Sequence, residues 1–511
     1  MKSCARFTGT LLVLLLSTFC AHGADRASAK VNVILWFDTE DYLLKADDDA
    51  AKRLAVLLTE RNIRATFKVV GEKARVLEKR GRQDVIAALQ KHDIGYHANF
   101  HSVHPTPTEY LADCGWLEGI AEFTRREGGG AADVRRIFNV ETLSCYGQPG
   151  SSWAPQAVAA LKGIGVAPHG IPCYVDEGTQ VGLNEKPFWY LGTLNVFHMG
   201  QNYTRMELHK PDAVEPAKKL VSEMADRLKG DGGGLISIFY HPCEWVHQEF
   251  WDGVNFKRGA NPPREAWKPP GQLSAEETEG AFKRFEQYID HIRTIPNLSF
   301  VTASDLPVIY PDRAVTDGVS KDELLELAKM LTSNLGRGVD FQILNGTSYS
   351  VADQFQFLAK AVADVITTNT TTFPIRATRI AGPDHVPPAT ALRTISWPAF
   401  RDAVLDVNRF VNSEQRIPAR VFIGSDPVAP ADFLIGLAFV FQQLQAGMGL
   451  PKEVTLGRNV ALLPVRFIGK DTPGLYGGWI IHKEGFRAPK LVEMAGLQSW
   501  TLKPAMPARV Q

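Results

Sequence analysis

The sequence lacks any excess of charge, any dense set of cysteines and, beyond its first residues, any long apolar run. Its 511 residues carry 56 basic and 56 acidic side chains, so no net positive field exists to hold nucleic acid or an anionic membrane. Six cysteines are too few for a scaffold built on disulfides. After the N-terminus, no segment reaches the roughly 18 unbroken apolar residues of a membrane-spanning helix. With 45% hydrophobic residues, the composition is that of an ordinary globular protein.

The one long apolar run lies at the N-terminus, where residues 1–23 have the pattern of a secretory signal. Lys2 and Arg6 precede a leucine-rich core, and a small-x-small cleavage site ends at Gly23. The core is too short to cross a bilayer of about 30 Å. We therefore expect an exported protein, periplasmic or secreted, in which disulfides are allowed. Four cysteines follow the cleavage site, and the sequence does not choose among their three pairings.

Between about residues 30 and 310, short apolar runs alternate with amphipathic stretches. Residues 31–37 and 65–70 have the composition of strands, and residues 47–61 between them have helical spacing. This alternation predicts a mainly parallel sheet, either open or closed into a barrel. In such folds the chemistry gathers at the carboxyl ends of the strands.

A boundary is expected between residues 311 and 320, where prolines and a glycine interrupt the pattern. Residues 320–511 are predicted as a mixed α+β region, helical first and β-rich from about 453. Within it, the segment 343–359 recurs as 422–438, at an offset of 79 residues. The second copy resembles the pseudomurein-binding type of cell-wall repeat, which makes the region a candidate for cell-wall attachment. The alternative is a chance similarity of two helix–strand–helix units.

Three groups of chemistry-bearing residues lie at the ends of predicted strands, and the first is acidic. Asp38, Glu40 and Asp41 place three carboxylates within four residues after an apolar run. Packed carboxylates repel one another and lose solvation near a core, so they are usually kept where a cation or a proton needs them. The alternative is a solvated loop or an acidic helix N-terminus.

The second group consists of histidines. His97, His101 and His104 fall within eight residues, and the four-residue spacing of the first two aims both imidazoles the same way in a helical turn or a tight loop. Two imidazoles and a carboxylate are a common ligand set for Zn²⁺ or a similar divalent ion, with a position left open for water. We interpret His104 as a supporting or surface residue.

The third element is a single histidine at the end of a strongly apolar run. His241 follows residues 236–240 and precedes a proline, which ends the strand. In a barrel this places the imidazole at the mouth, where a group that titrates near neutral pH can act as a general acid. Alone, such a residue is more often a hydrogen-bonded structural histidine.

In their order along the chain, these residues resemble the motifs of the polysaccharide deacetylases, the chitooligosaccharide-deacetylase homology domain of carbohydrate esterase family four. The matching segments are Leu35-Trp36-Phe37-Asp38, Ala65-Thr66-Phe67, Gly95-Tyr96-His97 with His101, Gln148-Pro149-Gly150-Ser151-Ser152-Trp153, and His241. The resemblance spans residues 30–310 and implies a distorted (β/α) barrel, usually of seven strands. It also implies a divalent metal, most often zinc, and the removal of acetyl groups from the amino sugars of a polysaccharide.

The resemblance implies a role for each matched side chain. Asp38 matches the catalytic base, and His241 matches the late histidine that acts as general acid. His97 and His101 match the two metal-binding histidines. The chemistry agrees, because a bound divalent cation brings the pKa of water near 7 and a carboxylate can then take its proton as it attacks the acetyl carbonyl.

This sequence also departs from the family pattern. Thr39 stands where the third metal ligand is expected, so that ligand shifts to Glu40 or Asp41, and we favour Asp41. If the family's acid pair is aligned with Glu40 and Asp41 instead, Glu40 matches the base and Asp41 remains the metal ligand. Gln148 stands where the family carries an arginine that orients the catalytic acid, so that role is unfilled or comes from elsewhere. Ser102 replaces the proline that usually follows the second metal-binding histidine.

Sugar-binding sites often use exposed aromatic side chains. Trp153, Tyr174 and Trp245 are candidates here, although large aromatics more often belong to a core. Asp176 is a candidate to orient His241 or another imidazole. The expected partner is a glycan, with no nucleic acid and no transmembrane segment. Two alternatives stay open: a metal-dependent amidohydrolase of small non-sugar substrates, and a non-catalytic glycan-binding protein, which the missing arginine favours.

Overall fold

The computed structural model describes residues 29–165, 170–178, 180–333 and 336–508. The predicted signal, residues 1–23, lies outside them. Within the described part of the chain, no helix is both long and apolar enough to cross a membrane. The four cysteines of this part are all free thiols.

The strands are short, and the helices range from single turns to 22 residues. In chain order the strands are β1 (Val31–Thr39), β2 (Thr66–Val69), β3 (Asp93–Tyr96), β4 (Cys145–Tyr146), β5 (Cys173–Val175), β6 (Phe188–Tyr190), β7 (Thr193–Val196), β8 (Gly234–Tyr240), β9 (Leu298–Val301), β10 (Gln342–Leu344), β11 (Thr347–Tyr349), β12 (Thr394–Ser396), β13 (Val421–Ile423), β14 (Asp426–Val428), β15 (Glu453–Thr455) and β16 (Lys503–Pro504). The helices are α1 (Lys45–Glu60), α2 (Gly71–Lys79), α3 (Gln83–Leu89), α4 (Pro107–Leu111), α5 (Trp116–Ile137), α6 (Pro155–Ala160), α7 (Val214–Gly230), α8 (Trp251–Asn255), α9 (Ala275–Thr294), α10 (Leu306–Ile309), α11 (Arg313–Thr316), α12 (Lys321–Ser333), α13 (Val351–Thr368), α14 (Trp397–Glu414), α15 (Pro430–Gln445) and α16 (Pro489–Gln498).

One curled sheet of ten strands forms the barrel. Seven of its strands run parallel in the order β8–β1–β2–β3–β4–β5–β7, with β9 also parallel to β1. Antiparallel β6 and β16 extend the sheet beyond β7. Between β7 and β8, among the described residues, the gap is spanned by a single bridge from Tyr203 to Ser237. The predicted distorted (β/α) barrel is therefore confirmed, as an incompletely closed one.

Strand β1 shows how the sequence builds this barrel. All nine of its residues are buried, which explains its nearly continuous apolar run. Successive side chains point to opposite faces of a strand. Leu35 and Phe37 pack in the cluster beneath the outer helices, whereas Trp36 packs in the second cluster inside the barrel. Asp38, two residues after Trp36, is therefore carried to the inner face at the carboxyl end.

The C-terminal region contains one helix–hairpin–helix unit twice, around a core of its own. Helix α12, hairpin β10–β11 and helix α13 are followed by α14, hairpin β13–β14 and α15. The hairpins begin at Gln342 and Val421, and the helices after them begin at Val351 and Pro430. In both cases the two starting positions differ by 79 residues, which is the offset of the sequence repeat. The repeat therefore corresponds to a duplicated structural unit.

The expectation of a β-rich segment from about residue 453 is wrong. The described residues after that point form two short strands, β15 and β16, together with helix α16 and turns. The reason is the density of prolines and glycines between residues 464 and 485. Proline cannot donate to a strand ladder, and glycine weakens a strand interior.

The end of the chain returns to the barrel. Strand β16 pairs with β6, so residues from the C-terminal region belong to the barrel sheet. Lys503 on β16 is buried and forms ion pairs with Asp312 at 2.6 Å and Asp353 at 2.7 Å. A buried ammonium is stable only when it is paired. This triad therefore fastens the repeats to the barrel.

Candidate metal centre and active site

A cavity of about 560 Å³ opens at the carboxyl ends of the parallel strands. This is the edge at which chemistry is expected in a barrel of this kind. Its wall includes the residues that the sequence singled out on three different strands: Asp38, Glu40, His97, His101 and His241.

Glu40, His97 and His101 bring a carboxylate oxygen and two imidazole nitrogens within 4.8 Å of one another. Glu40 Oε2 lies 3.5 Å from His97 Nε2 and 2.8 Å from His101 Nε2. All three side chains are buried. In a tetrahedral zinc site with bonds of about 2.0–2.1 Å, ligand atoms are roughly 3.3–3.4 Å apart. The two distances lie on either side of this value, so the three residues form a donor set that fits a divalent ion after small side-chain adjustments.

Both imidazoles are held through Nδ1, which leaves Nε2 directed at Glu40. His97 Nδ1 lies 3.0 Å from the carbonyl oxygen of Gly147, and His101 Nδ1 lies 2.6 Å from Ser102 Oγ. A carbonyl oxygen can only accept, so His97 Nδ1 carries the proton and Nε2 presents a lone pair. Burial is the largest cause that lowers the pKa of His97 well below its usual range. Metal-binding histidines are typically oriented in this way.

The segment between the two histidines is a loop after β3, one of the two conformations that the sequence allowed. Ala98 and His101 both have left-handed backbone conformations, with φ of 62° and 58°. A non-glycine residue in this region costs on the order of 1–3 kcal/mol and persists where its surroundings fix it. The backbone N–H of Asn99 donates to the buried Glu127 carboxylate at 2.7 Å, which helps to hold the loop.

The choice of Asp41 as a metal ligand is wrong. Its Oδ2 lies 3.0 Å from His247 Nδ1, and its Oδ1 accepts a hydrogen bond from the backbone N–H of Leu43 at 2.8 Å. The reason is the alternation of side chains in extended backbone, which aims Asp38 and Glu40 into the cavity and Asp41 away from it. Glu40, the other residue that the sequence left open, takes the place beside the histidines.

Asp38 lies beside a cation that the sequence analysis missed. Lys68 Nζ is 2.8 Å from Asp38 Oδ1 and 3.3 Å from Asp176 Oδ2, and it donates to the carbonyl oxygen of Val175 at 2.7 Å. Lys68 is fully buried on β2, directly opposite Asp38 across the β1–β2 pair. Burial disfavours its charge, but Asp176 and Asp38 outweigh that effect and raise the pKa of Lys68. A buried cation therefore contacts Asp38 from β2, whereas Gln148 offers no charge of its own.

The space for Lys68 depends on Gly147, since a Cβ there would lie 2.0 Å from Lys68 Nζ. Asp176 pairs with Lys68, and Glu244 is the carboxylate that contacts His241, so the predicted role of Asp176 is corrected. Burial raises the pKa of Asp176 to about 7, although the Lys68 ammonium opposes the shift. Lys68 itself could have been noticed in the sequence, because it is a single lysine within a strand that is otherwise buried.

His241 lines the same cavity as Glu40, His97 and His101. Its Nε2 is 3.8 Å from Asp38 Oδ2, and its Nδ1 is 2.9 Å from Glu244 Oε1. Glu244 also forms an ion pair with Arg205, which fixes its carboxylate. Burial opposes the imidazolium, but the Glu244 hydrogen bond and the nearby carboxylates raise the pKa of His241 to about 9. These carboxylates therefore favour the imidazolium form of the ring.

The predicted sugar-binding aromatics are wrong. Trp153, Tyr174 and Trp245 are 1%, 0% and 0% exposed, and none of them lines the cavity. Trp245 packs against Phe37 and other rings of the core, and the Tyr174 hydroxyl donates to Gln148 Oε1 at 2.9 Å. These large rings lie on faces that turn away from the opening. The aromatic wall is formed instead by four other residues: Trp36, Phe239, Phe250 and Trp479.

No protein-family model and no curated protein matches this chain. Solved structures do match. A protein of Mycobacterium smegmatis assigned as a candidate polysaccharide deacetylase is 13% identical, with a TM-score of 0.35, 55% of this chain covered and 89% of that one. A family 4 acetyl xylan esterase from Clostridium thermocellum, in complex with cobalt, is 14% identical, with a TM-score of 0.27 and coverage of 54% and 90%. A CE4 family pseudoenzyme mutant with restored activity is 11% identical, with a TM-score of 0.27 and coverage of 55% and 68%.

All three belong to the group that the sequence motifs resemble. Each covers about half of this chain. With TM-scores of 0.35 and below, these matches assign neither an activity nor a substrate to this chain. Its chemistry has to be inferred from the side chains in the cavity.

Proposed function

We propose that this protein is an exported, metal-dependent deacetylase that hydrolyses N-acetyl or O-acetyl groups of a cell-wall or extracellular glycan. The observation that carries the proposal is a convergence in one cavity. Glu40, His97 and His101 form a group that fits a divalent ion, with Asp38 beside it and His241 lining the same cavity. A metal ligand set, a carboxylate base and an imidazolium acid are the parts that amide hydrolysis needs.

Glu40, His97 and His101 would hold the ion, most plausibly Zn²⁺, because two imidazoles and one carboxylate are a frequent donor set of zinc hydrolases. When bound, such an ion lowers the pKa of a coordinated water and polarises a carbonyl oxygen. The groups that move protons are side chains of the protein, and their positions suggest a role for each.

Asp38 accepts the proton of the attacking water, and Lys68 holds the Asp38 carboxylate in place from 2.8 Å. The new C–O bond forms at the acetyl carbon, and the C–N or C–O bond to the sugar breaks. His241 Nε2 gives its proton to the leaving nitrogen or oxygen, while Glu244 stabilises the imidazolium from the Nδ1 side. The products are acetate and the free amine or hydroxyl.

The wall of the cavity indicates the class of substrate. Phe250, which is 37% exposed, and the half-buried Trp479 give it an aromatic surface, and Lys257 is the one lysine or arginine among the described lining residues. Carboxylates outnumber this cation, since the lining also includes Glu177, Glu249 and Asp252 among others. His241 and a bound divalent ion would offset much of this negative charge, so no strong field of either sign would remain. A neutral acetylated sugar chain fits this wall.

The missing arginine had favoured a non-catalytic glycan-binding protein. Against it stands the Lys68 contact, because a buried cation on β2 orients Asp38, the proposed base, although it does not take the arginine's place beside the acid. The C-terminal repeats are proposed as the attachment module for the cell wall, on the strength of the duplicated helix–hairpin–helix unit. Export is proposed on the pattern of residues 1–23.

The test starts from metal analysis of the mature chain and compares it with the double variant His97→Ala/His101→Ala. We expect one bound divalent ion in the wild type and none in the variant. Acetate release is then measured on N-acetylated chitooligosaccharides, acetylated xylan and small aliphatic acetamides. Release from the sugars alone supports the proposal, release from the small amides alone supports a small-molecule amidohydrolase, and a folded wild type without affinity for any divalent ion contradicts both.

A further inference from the structure

Trp479 belongs to the C-terminal region, yet it forms part of the wall of the active-site cavity. We propose that Trp479 is a positioning residue for the metal-binding histidine His101, acting through Asp252 and Ser102. The C-terminal region is then a part of the active site as well as an attachment module. This inference rests on the function proposed above and adds a source of metal affinity outside the barrel.

A chain of three hydrogen bonds connects the indole to the imidazole. Trp479 Nε1 donates to Asp252 Oδ2 at 2.6 Å, and Ser102 Oγ donates to the same oxygen at 3.2 Å. Because the Ser102 proton is committed to Asp252, its oxygen accepts from His101 Nδ1 at 2.6 Å. With Nδ1 committed to this bond, Nε2 is the ring atom that faces Glu40 and would bind the ion.

Ser102 makes this connection specific to the present chain. The resemblance places a proline at this position, and a proline side chain offers no hydroxyl to accept from His101 Nδ1. Ser102 and Asp252 are both buried, at 0% and 4% exposure, so the two hydrogen bonds are protected from competition with water. Charge-assisted hydrogen bonds to a carboxylate are about twice as strong as neutral ones.

The indole ring itself is fitted to the barrel. Its centroid lies 5.3 Å from that of His101, in an edge-to-face arrangement. Beneath the ring lies Gly150, where a Cβ would come within 2.2 Å of Trp479 Cδ2 and where φ is +49°. The loop that follows β4 therefore has a glycine at the point where the C-terminal tryptophan packs, and any other residue would displace the ring.

The segment that carries Trp479 is anchored on both sides. The backbone N–H groups of Arg258 and Gly259 donate to the carbonyl oxygens of Ile480 and Ile481, at 2.8 and 2.6 Å. On the other side, Ser151 Oγ donates to the carbonyl oxygen of Tyr476 at 2.7 Å. These bonds come from the barrel's own loops, so the indole is held in a defined orientation.

The experiment measures Zn²⁺ affinity of the full mature chain, by competition with a chromophoric chelator, together with kcat and KM for acetate release. Trp479→Phe keeps a ring and removes the N–H donor, and Ser102→Ala breaks the chain next to the histidine. Partners of metal-binding histidines typically contribute roughly 10- to 100-fold in metal affinity. We expect Ser102→Ala to weaken Zn²⁺ binding about tenfold or more and Trp479→Phe several-fold, with kcat reduced and KM nearly unchanged.

Trp397→Phe is the matched control, because Trp397 is also a partly buried tryptophan of the C-terminal region and packs against Phe400 far along the chain from the site. It should bind Zn²⁺ like the wild type. If Trp479→Phe unfolds, Asp252→Asn tests the same chain with a side chain of equal size. Wild-type Zn²⁺ affinity in the folded Trp479→Phe or Asp252→Asn variant overturns the inference and leaves the proposed function intact. A wild type that binds no Zn²⁺ overturns the proposed function, and the inference with it.

Discussion

Lys68 is a buried ammonium shared between Asp38 on β1 and Asp176 after β5. In Lys68→Met the two carboxylates remain buried without their cation. Removing one partner of a buried ion pair typically costs about 3–5 kcal/mol, so we expect a loss of stability of that size in urea unfolding. We also expect acetate release to fall by at least about a hundredfold, because Asp38 loses its orienting contact.

The double variant Lys68→Met/Asp176→Asn separates the two effects. It removes the cation together with one of the charges that the cation neutralised. Stability should recover in part, whereas activity should stay low. Full activity in the stable double variant would mean that Lys68 has no part in orienting Asp38.

In the proposed reaction, we expect His241 to set the basic limb of the pH profile. Its pKa is raised to about 9 and the proton is needed on the ring, so activity is present below this value and is lost as pH rises through it. In Glu244→Gln the hydrogen bond to a carboxylate is lost, and the basic limb of kcat/KM should move down toward the ordinary value of about 6.5. Glu215→Gln, on the exposed start of α7, should leave the limb unchanged. An unmoved limb in Glu244→Gln would exclude His241 as the group that titrates.

For single residues, the sequence indicated which residue types form the site, but not which way each side chain points. His97 and His101 could be singled out because two histidines four residues apart follow one predicted strand and an acid cluster follows an earlier one. The choice between Glu40 and Asp41 depended on whether the backbone stays extended beyond Thr39, which the sequence did not reveal. Lys68 was missed because its partners, Asp38 and Asp176, are distant in sequence and meet only through the barrel.

Elements differ in how far local sequence determines them. The strands β1 and β8 are apolar runs buried on both faces, and their alternation with helices predicted the parallel sheet correctly. Helices α13 and α15 follow equivalent hairpins, so the repeat could be recognised from its offset. The segment between β15 and β16 has little periodicity of its own. Its conformation comes from the barrel loops that it contacts, such as the one that includes Arg258 and Gly259.

At the scale of the whole molecule, Lys503 connects Asp312 at the end of the barrel domain with Asp353 on α13. In Lys503→Met both carboxylates stay buried and unpaired. Burial then raises their pKa values in the folded state, so the folded protein is favoured at low pH and loses stability as pH rises. We expect a loss of about 3–5 kcal/mol near pH 7 and a clearly smaller one near pH 4, measured by urea unfolding at both pH values.

The matched control is Lys219→Met, since Lys219 is an exposed lysine on α7 with a long 3.7 Å contact to Glu223. Exposed pairs of this kind contribute about 0–1 kcal/mol. A Lys503 variant whose stability shows no more dependence on pH than that of the control would argue that the triad does not fasten the two regions.

The position of Trp479 has a consequence for how the enzyme matures. A polypeptide is made from its N-terminus, so Glu40 exists long before the indole that backs His101 has been synthesised. Until the final stretch has been translated and has settled between the barrel's loops, the cavity lacks one side. A nascent chain therefore carries this cavity without the Trp479 side of its wall until the last part of the sequence has been made, so we expect the proposed activity to appear late in assembly.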